Sequence, residues 1–398
     1  MARLIIIGGS LGGLFAANLL SRQGHDVVVL EKAVGSLDGR GAGIVTHPAL
    51  MDALTEVGVA VDQNIGIQVE RRVTLDQQGQ CIADLGLKQT LTSWSRVYHL
   101  LKEQFPKDRY LHAKSVTHIA QQSHEATVTC EDGSSYTADL IIASDGLRSV
   151  VRASLAPVSM PVYAGYVAWR GVCDENTLSQ HTLNSLFNHF GFCLPPGEQI
   201  LGYPVAGEHN NLTVGQRRYN FVWYRPAAQG QELNQLLTDA DGRYHGLGIA
   251  PLKVSWRHIG QVRQTAQSIL APQFAEIIQK TSHVFFQPIY DVYSDKIAFG
   301  RIALMGDASF VARPHVGMGV TKAAQDALAL TRHIQSLGAQ PEALLAYQRE
   351  RLVPGQDIVR HAQYLGRYMQ SQQGQDHQKD LQRNAGTVMQ ETAIAQPA

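Results

Sequence analysis

The sequence predicts a mixed α/β (α+β) fold in which a parallel-sheet domain is interleaved with a mainly antiparallel-sheet domain and followed by C-terminal helices. Two short apolar runs, 4–7 and 27–30, enclose a helical pattern over 14–22, which is typical of a strand–helix–strand unit. Runs rich in aromatic and β-branched residues dominate the middle of the chain and indicate antiparallel strands. The buried-strand pattern returns at 302–305.

The composition narrows the class of protein. The chain has 398 residues, of which 44% are apolar, so two or three units with their own cores are expected. Lys and Arg number 34, as do Asp and Glu, which excludes a strongly basic nucleic-acid binder and an acidic tail protein. No apolar run reaches the length of a membrane span. We therefore expect neither a nucleic-acid nor a membrane partner.

Cysteine spacing and the N-terminus both favour a cytoplasmic protein. The four cysteines (81, 130, 173 and 193) are too far apart for a metal or redox C-x-x-C motif, so four reduced thiols and no metal are expected. The first twenty residues superficially resemble a signal peptide. Glycines at motif spacing and an immediately following second strand argue against that interpretation.

The order of the patterns predicts discontinuous domains. The first domain is assigned to 1–67, 96–160 and 283–340, and the second to 68–95 and 161–282. Within the second domain, strands are expected at 162–172, 199–205, 212–216 and 220–224, and a helix over 262–281. A C-terminal helix covers 341–370. The Gln-rich segment 371–398 lacks an apolar period and is expected to be disordered.

A glycine-rich turn joins the first strand to the first helix. The run Gly8-Gly9-Ser10-Leu11-Gly12-Gly13 has the frame G-x-S-x-x-G, and Glu31 follows at the end of the second strand. Such a turn lets a pyrophosphate approach the backbone and the helix N-terminus, while the acid accepts ribose hydroxyls. Ser10 departs from the usual second glycine. The alternative is a glycine-rich turn that binds nothing, and the strand–helix context favours a dinucleotide site.

Two further motifs follow buried strands. Asp145-Gly146 follows the strand pattern 140–143, and Gly306-Asp307 follows 302–305. Asp145 alone would be interpreted as a turn, and Asp307 as a helix cap or turn former. The segments Arg313-Pro314-His315 and Gly317-Met318-Gly319 then lead into a long helix, whose N-terminal dipole suits a negative charge.

The three motifs, in this order and spacing, resemble those of the single-component FAD-dependent aromatic hydroxylases, the p-hydroxybenzoate hydroxylase superfamily. The resemblance covers nearly the whole chain up to about Met369. The strand over 163–172 and the Arg-Pro-His segment narrow it to members that act on dihydroxypyridine-like rings. The resemblance implies that the first domain is a Rossmann-like FAD-binding domain and the second a substrate domain.

The resemblance also implies which residues hold the cofactor. Gly8, Ser10, Gly13 and Glu31 match the ADP half, Asp307 matches the acceptor for the ribityl chain, and Asp145 belongs to a motif that contacts both FAD and NAD(P)H. The complete set of expected cofactor-binding residues is Gly8, Ser10, Leu11, Gly12, Gly13, Glu31, Lys32, Arg40, Gly43, Arg96, Asp145, Gly146, Gly306, Asp307, Pro314, Gly317, Met318 and Gly319.

Three side chains are candidates for contact with the substrate. His315 lies beside the loop expected over the flavin, where a neutral imidazole could accept a proton from a ring hydroxyl; a structural histidine is the alternative. Tyr203 lies on a strand aimed at the pocket, with sheet packing as its alternative. His47 precedes Pro48 and is more readily interpreted as a helix-start residue.

The resemblance implies an NAD(P)H-dependent FAD monooxygenase that hydroxylates an electron-rich aromatic or N-heteroaromatic ring with O2, through a C4a-hydroperoxyflavin. NAD(P)H is expected to dock transiently, since the sequence has no second nucleotide motif, and the choice between NADH and NADPH stays open. Members of the family often form homodimers. A reductase or an epoxidase on the same FAD frame, and a non-enzymatic FAD-binding protein, are the alternatives.

Overall fold

The computed structural model describes residues 1–37, 43–369 and 384–394. The strands are, in chain order, β1 (Arg3–Ile7), β2 (Asp26–Leu30), β3 (Gly43–Val45), β4 (Ile67–Leu75), β5 (Cys81–Ser93), β6 (Tyr110–Leu111), β7 (Val116–Gln121), β8 (Ala126–Cys130), β9 (Ser135–Ala138), β10 (Leu140–Ala143), β11 (Val162–Asp174), β12 (Phe190–Cys193), β13 (Gln199–Val205), β14 (Arg218–Pro226), β15 (Phe285–Asp291), β16 (Ala298–Phe299) and β17 (Ile302–Leu304).

The helices connect these strands and cover the sheets. They are α1 (Leu11–Arg22), α2 (Pro48–Val57), α3 (Trp94–Gln104), α4 (Val150–Leu155), α5 (Gln180–Thr182), α6 (Gln231–Leu236), α7 (Trp256–Ile269), α8 (Pro272–Lys280), α9 (Gly319–Leu337), α10 (Pro341–Gly366) and α11 (Ala385–Glu391). None of the helices in the described ranges combines the length and the apolar character that crossing a membrane requires.

The first sheet has the strand order β16-β17-β10-β1-β2-β6. Its central strands β1, β2, β10 and β17 run parallel. They are almost wholly apolar because α1, α9 and the small β7–β8–β9 sheet pack on this sheet and bury them in the largest core of the molecule. Ile7 is in register with Ala143, which is in register with Leu304. Three strands therefore end at one edge of the sheet.

The second sheet has the strand order β15-β11-β14-β13-β12-β4-β5-β3. Its pairs are antiparallel except β12 with β4. Because side chains alternate across a strand, Trp169, Ile200 and Trp223 face the core under α7 and α8, and their neighbours Leu201 and Val222 face the other way. This second face turns toward the first sheet.

Several expectations about elements are wrong. Residues 212–216 form a turn, since the Asn211 side chain accepts from the Thr213 amide and the Glu175 carboxylate accepts from the Gly215 amide. The helix expected over 262–281 is two helices, α7 and α8, because Pro272 starts a new helix. β3 and β15, which we placed in the first domain, pair into the eight-stranded sheet.

The C-terminal segment is ordered where the structure describes it, contrary to the expected disorder of 371–398. Residues 384–394 contain α11, whose Val388 and Met389 are buried. Arg72 on β4 is fully buried and donates to the carbonyl oxygens of Met389 (2.7 Å), Thr392 (2.6 Å) and Ala393 (3.2 Å). A guanidinium thus caps the C-terminal end of α11. The rest of the tail lies outside the described residues.

We expect Arg72→Met to lower the free energy of unfolding by about 2–4 kcal/mol, because it leaves the buried carbonyl groups of Met389 and Thr392 without their donor. Arg71→Met is the matched control, since the neighbouring Arg71 is half exposed and pairs with Asp84, a contact worth at most about 1 kcal/mol. Urea unfolding and hydrogen exchange over 385–393 measure the difference. Equal midpoints with unchanged exchange of α11 would contradict the capping role.

Candidate active site

A cleft of about 850 Å³ lies between the two sheets. A second cavity of about 380 Å³ shares Ser10, Lys32, Trp94 and Asp145 with the cleft and extends to Glu31 at the end of β2. We call the part at the ends of β1, β10 and β17 the nucleotide end. The ring chamber is the opposite part, lined by Arg170, Phe190, Leu201, Tyr203, Val222, Tyr224 and Gln287.

The glycine-rich turn is shaped by close backbone packing. Gly8 has a φ of +98°, and a Cβ there would collide with the carbonyl of Ser144 on the neighbouring strand. A Cβ on Gly13 would collide with the carbonyl oxygen of Gly8. The Ser10 side chain does not cap α1, and Ser10, Leu11 and Gly12 line the cleft. The N-terminal amides and dipole of α1 thus face the cleft, as a phosphate site requires.

Glu31 supports this turn. Its side chain is 5% exposed, and its two carboxylate oxygens accept from the backbone amides of Gly9 and Ala33, both at 2.8 Å. Each carboxylate oxygen can accept a second hydrogen bond, and Glu31 lines the second cavity. Glu31 can therefore hold the turn and accept a ligand hydroxyl at the same time. Lys32, the next residue, borders both cavities.

Asp145 carries an unused acceptor. Its Oδ2 accepts from the Val150 amide at 2.8 Å, whereas its Oδ1 is buried and has no partner among the described residues. Burial raises the pKa of this carboxyl group. Asp145 lines both cavities, so its carboxyl group borders the space that a ligand would occupy.

The turn that presents Asp307 is held in place by a buried network of charged side chains. Asp307 is open to the cleft but otherwise surrounded by protein, and burial raises the pKa of its carboxyl group while the Lys322 charge opposes the rise. Asp326 accepts from the Gly306 amide at 3.2 Å and from Arg351 Nε at 2.8 Å, and it lies 3.6 Å from Lys322 Nζ. Helices α9 and α10 thereby fix the turn that presents Asp307.

The loop before α9 closes the nucleotide end. Gly317 has a φ of +63°, and Pro314, Gly317, Met318 and Gly319 all line the cleft. A Cβ on Gly319 would meet no atom within 4 Å, so the helix start is open to a flat ligand. The N-terminal dipole of α9 points at this space and favours negative charge there.

His315 does not reach the cleft, contrary to our expectation. Its side chain is fully buried, its Nε2 lies 2.9 Å from the Tyr166 hydroxyl, and its ring centroid lies 4.0 Å from that of Tyr224. Its carbonyl oxygen accepts from the Ala393 amide at 2.7 Å. The short 3-10 turn Pro314–Val316 directs this side chain inward. His315 contacts the ring chamber through Tyr224.

Some of the other expected residues line the cleft, and others do not. Tyr203 lines the ring chamber, and Gly43, Gly146 and Gly306 line the cleft. His47 is buried outside it, where burial lowers the pKa of its imidazole and Nε2 lies 3.2 Å from the Gly317 carbonyl oxygen. Arg96 does not line either cavity, and Trp94, two residues earlier, lines both. Arg40 lies outside the described residues.

Our sequence reasoning missed several lining residues. Tyr224 and Arg170 lie in segments that the sequence analysis predicted only as strands, 220–224 and 162–172. Their alternation with Trp223 and Trp169, which face the opposite core, could have placed them on the cleft face. Trp94 carried no sequence signal, because its place depends on how α3 packs.

Comparison with known proteins agrees with this geometry. The family model described as "FAD binding domain" matches residues 1–190 and 253–362. The chain is 32% identical to 2,6-dihydroxypyridine 3-monooxygenase of Paenarthrobacter nicotinovorans, over 82% of this chain and 81% of the relative. It is 26% identical to FAD-dependent urate hydroxylase of Klebsiella pneumoniae, over 90% and 88%.

A solved structure shares the whole architecture. The 2,6-dihydroxypyridine-3-hydroxylase of Arthrobacter nicotinovorans superposes with a TM-score of 0.89 at 27% identity, covering 100% of this chain and 98% of that one. The chain therefore belongs to the FAD-binding-domain family, as one of its single-component FAD-dependent aromatic hydroxylases. It is a FAD-dependent monooxygenase. Its architecture matches that of the Arthrobacter nicotinovorans hydroxylase along the whole chain.

The described residues fit FAD. The turn at Gly8–Gly13 leaves room beside the backbone for a pyrophosphate. Glu31 lines the cavity that suits adenosine, and Asp145 borders the same cavity. Asp307 and the start of α9 then border the space for the ribityl chain and the isoalloxazine ring.

We expect Asp307→Ala to weaken FAD binding about 10- to 100-fold, because a ribityl hydroxyl loses its acceptor. Asp307→Asn keeps a carbonyl oxygen and should lose less. The Kd for FAD, titrated by flavin fluorescence on apoprotein, measures the effect. Asp241→Ala is the control, since that side chain is 83% exposed on a distant loop. FAD affinity unchanged by Asp307→Ala would refute the assigned contact.

Proposed function

We propose that this enzyme hydroxylates an electron-rich N-heteroaromatic ring of the dihydroxypyridine type, with NAD(P)H and O2 as co-substrates. The observation that carries the proposal is the continuity of the cleft. One end is built for a dinucleotide, and the other is a chamber walled by aromatic and aliphatic side chains. A planar ring in that chamber lies beside the end of the cofactor that performs redox chemistry.

When bound, FAD would supply the redox chemistry that a hydroxylation with NAD(P)H and O2 requires. The residues of the chain itself position the ring and exclude water from the chamber. Phe190, Leu201 and Val222 belong to the core beneath the chamber and exclude water from it. Tyr203 and Tyr224 line the same chamber with their phenol groups. A ring hydroxyl bound there is oriented by hydrogen bonds.

Burial raises the pKa of both Tyr203 and Tyr224, so each phenol stays neutral at physiological pH and can donate a hydrogen bond to the ring. We assign His315 a positioning role: it packs against Tyr224 and forms a hydrogen bond with the Tyr166 hydroxyl. His47 supports the Gly317 backbone in the same indirect way. Tyr203 remains the candidate for direct contact.

The proposed function is tested with 2,6-dihydroxypyridine as the ring. The enzyme should oxidise NADH or NADPH faster when the ring is present and should consume one O2 per hydroxylated product. A reductase would oxidise NAD(P)H equally well without O2, an epoxidase would release a different product, and a binding protein would show neither activity. Any of those three outcomes would overturn the proposal.

For His315→Gln we expect a several-fold drop in product formed per NAD(P)H consumed, because Tyr224 loses the ring that fixes it. The deficit should be similar at every pH, since His315 does not line the chamber. Coupling measured between pH 6 and 9 checks this, with His124→Gln, at an exposed site, as the control. A deficit that is steep near neutral pH and recovers at high pH would instead assign His315 as the base.

A further inference from the structure

The ring chamber holds an arginine that no acid neutralises. Arg170 Nε is buried without a hydrogen-bond partner, and in the described ranges the guanidinium forms no ion pair. Other arginines of the same sheet are paired: Arg218 with Asp174 at 2.8 Å and Arg225 with Glu198 at 3.0 Å. Arg72 of the same sheet also lacks a carboxylate, but it donates to carbonyl oxygens. Arg170 is therefore set apart by having neither a carboxylate nor a carbonyl partner among the described residues.

The strand register places the Arg170 side chain on the cleft face. On β14, Val222 lies opposite both Arg170 of β11 and Leu201 of β13, and all three line the cleft. Tyr224 lies two residues beyond Val222, and therefore on the same face. The positive charge of Arg170 opposes the burial-driven rise in the pKa of Tyr203 and Tyr224, so it lies within electrostatic reach of both phenols.

The acids of the cleft lie elsewhere. Asp145 and Asp307 follow β10 and β17 at the nucleotide end. Arg313, another cation that lines the cleft, is already paired with Asp291 at 2.8 Å. Arg170 is partly buried and lines a wall formed largely by aromatic and aliphatic side chains, where an anion would meet its charge with less competition from solvent than at the surface. The chamber is thus complementary to a ligand that brings its own negative charge.

We propose that Arg170 determines specificity by binding an ionised oxygen on the ring, so that the substrate class is acidic hydroxylated N-heteroaromatics bound as anions. This inference rests on the proposed function. An opposite charge at hydrogen-bond distance favours the ionised form, so the ring hydroxyl releases its proton to solvent on binding. The anion is the more electron-rich ring. No histidine base in contact with the ring is then required, which agrees with the burial of His315.

The test uses the FAD-loaded enzyme and three probes whose Kd values are read from the change in flavin absorption. 2,6-Dihydroxypyridine can ionise at a ring oxygen, 2,6-dimethoxypyridine cannot, and nicotinate carries a carboxylate instead. Arg170→Met removes the charge and Arg170→Lys keeps it. Arg218→Met is the matched control, a paired arginine of the same sheet that does not line the cleft.

We expect the wild type to bind 2,6-dihydroxypyridine more tightly than its dimethoxy analogue, and Arg170→Met to reduce that preference about 10- to 100-fold. Arg170→Lys should keep part of it, and Arg218→Met all of it. Calorimetry in two buffers should show proton release on binding by the wild type and less by Arg170→Met. A preference for nicotinate that is lost in Arg170→Met would keep the anion role and identify a carboxylate as its source.

The proposal is overturned if Arg170→Met keeps the preference, if the wild type has none, or if both Arg170 variants weaken FAD and all probes equally. Oxygen uptake is measured in parallel. An enzyme that binds the anion selectively without consuming O2 keeps the role of Arg170 and loses the proposed function. An enzyme that hydroxylates the ring, with a selectivity that Arg170→Met leaves unchanged, keeps the function and loses this inference. Arg170→Gln, which also removes the charge, serves if Arg170→Met does not fold.

Discussion

Close packing at the ends of three parallel strands is the constraint on which the site depends. β1, β10 and β17 end in register, so the turns at Gly8, Asp145 and Gly306 meet at one edge of the sheet. Gly8 and Gly13 permit this, since a side chain at either position would collide with neighbouring backbone. With the turns fixed, the N-termini of α1 and α9 both face the cleft, and two helix dipoles favour an anionic cofactor there.

The two ends of the cleft differ in the kind of polarity they offer. The nucleotide end presents carboxylates, Asp145 and Asp307, with acceptor capacity left over for hydroxyl donors. The ring chamber presents phenols and one unneutralised guanidinium on an apolar sheet face. A cofactor rich in hydroxyl groups and a ring that carries negative charge are therefore separated by electrostatics as well as by shape.

Contacts between residues far apart in the sequence support the wall of the ring chamber that contains Tyr224. Arg72 anchors α11 through carbonyl groups, and the Ala393 amide then donates to the carbonyl oxygen of His315. His315 packs against Tyr224, which lines the chamber. A chain of packed contacts therefore links the C-terminal segment to a wall of the site. The stability of the C-terminal segment and the position of Tyr224 therefore depend on one another.

The sequence alone determined the features of this protein that depend on short stretches of the chain. The alternation of strand, glycine turn and helix near Gly8, and the acids after the strands at Asp145 and Asp307, are short-range patterns, and they led to the fold class and the FAD family. Only the tertiary structure decided that His315 is buried, that Arg170 lacks an acid and that residues 384–394 are ordered. The partners in these contacts are far apart in the chain: Tyr166 from His315 by 149 residues and Arg72 from Met389 by 317. Burial and pairing are properties of such distant encounters, which no local pattern encodes.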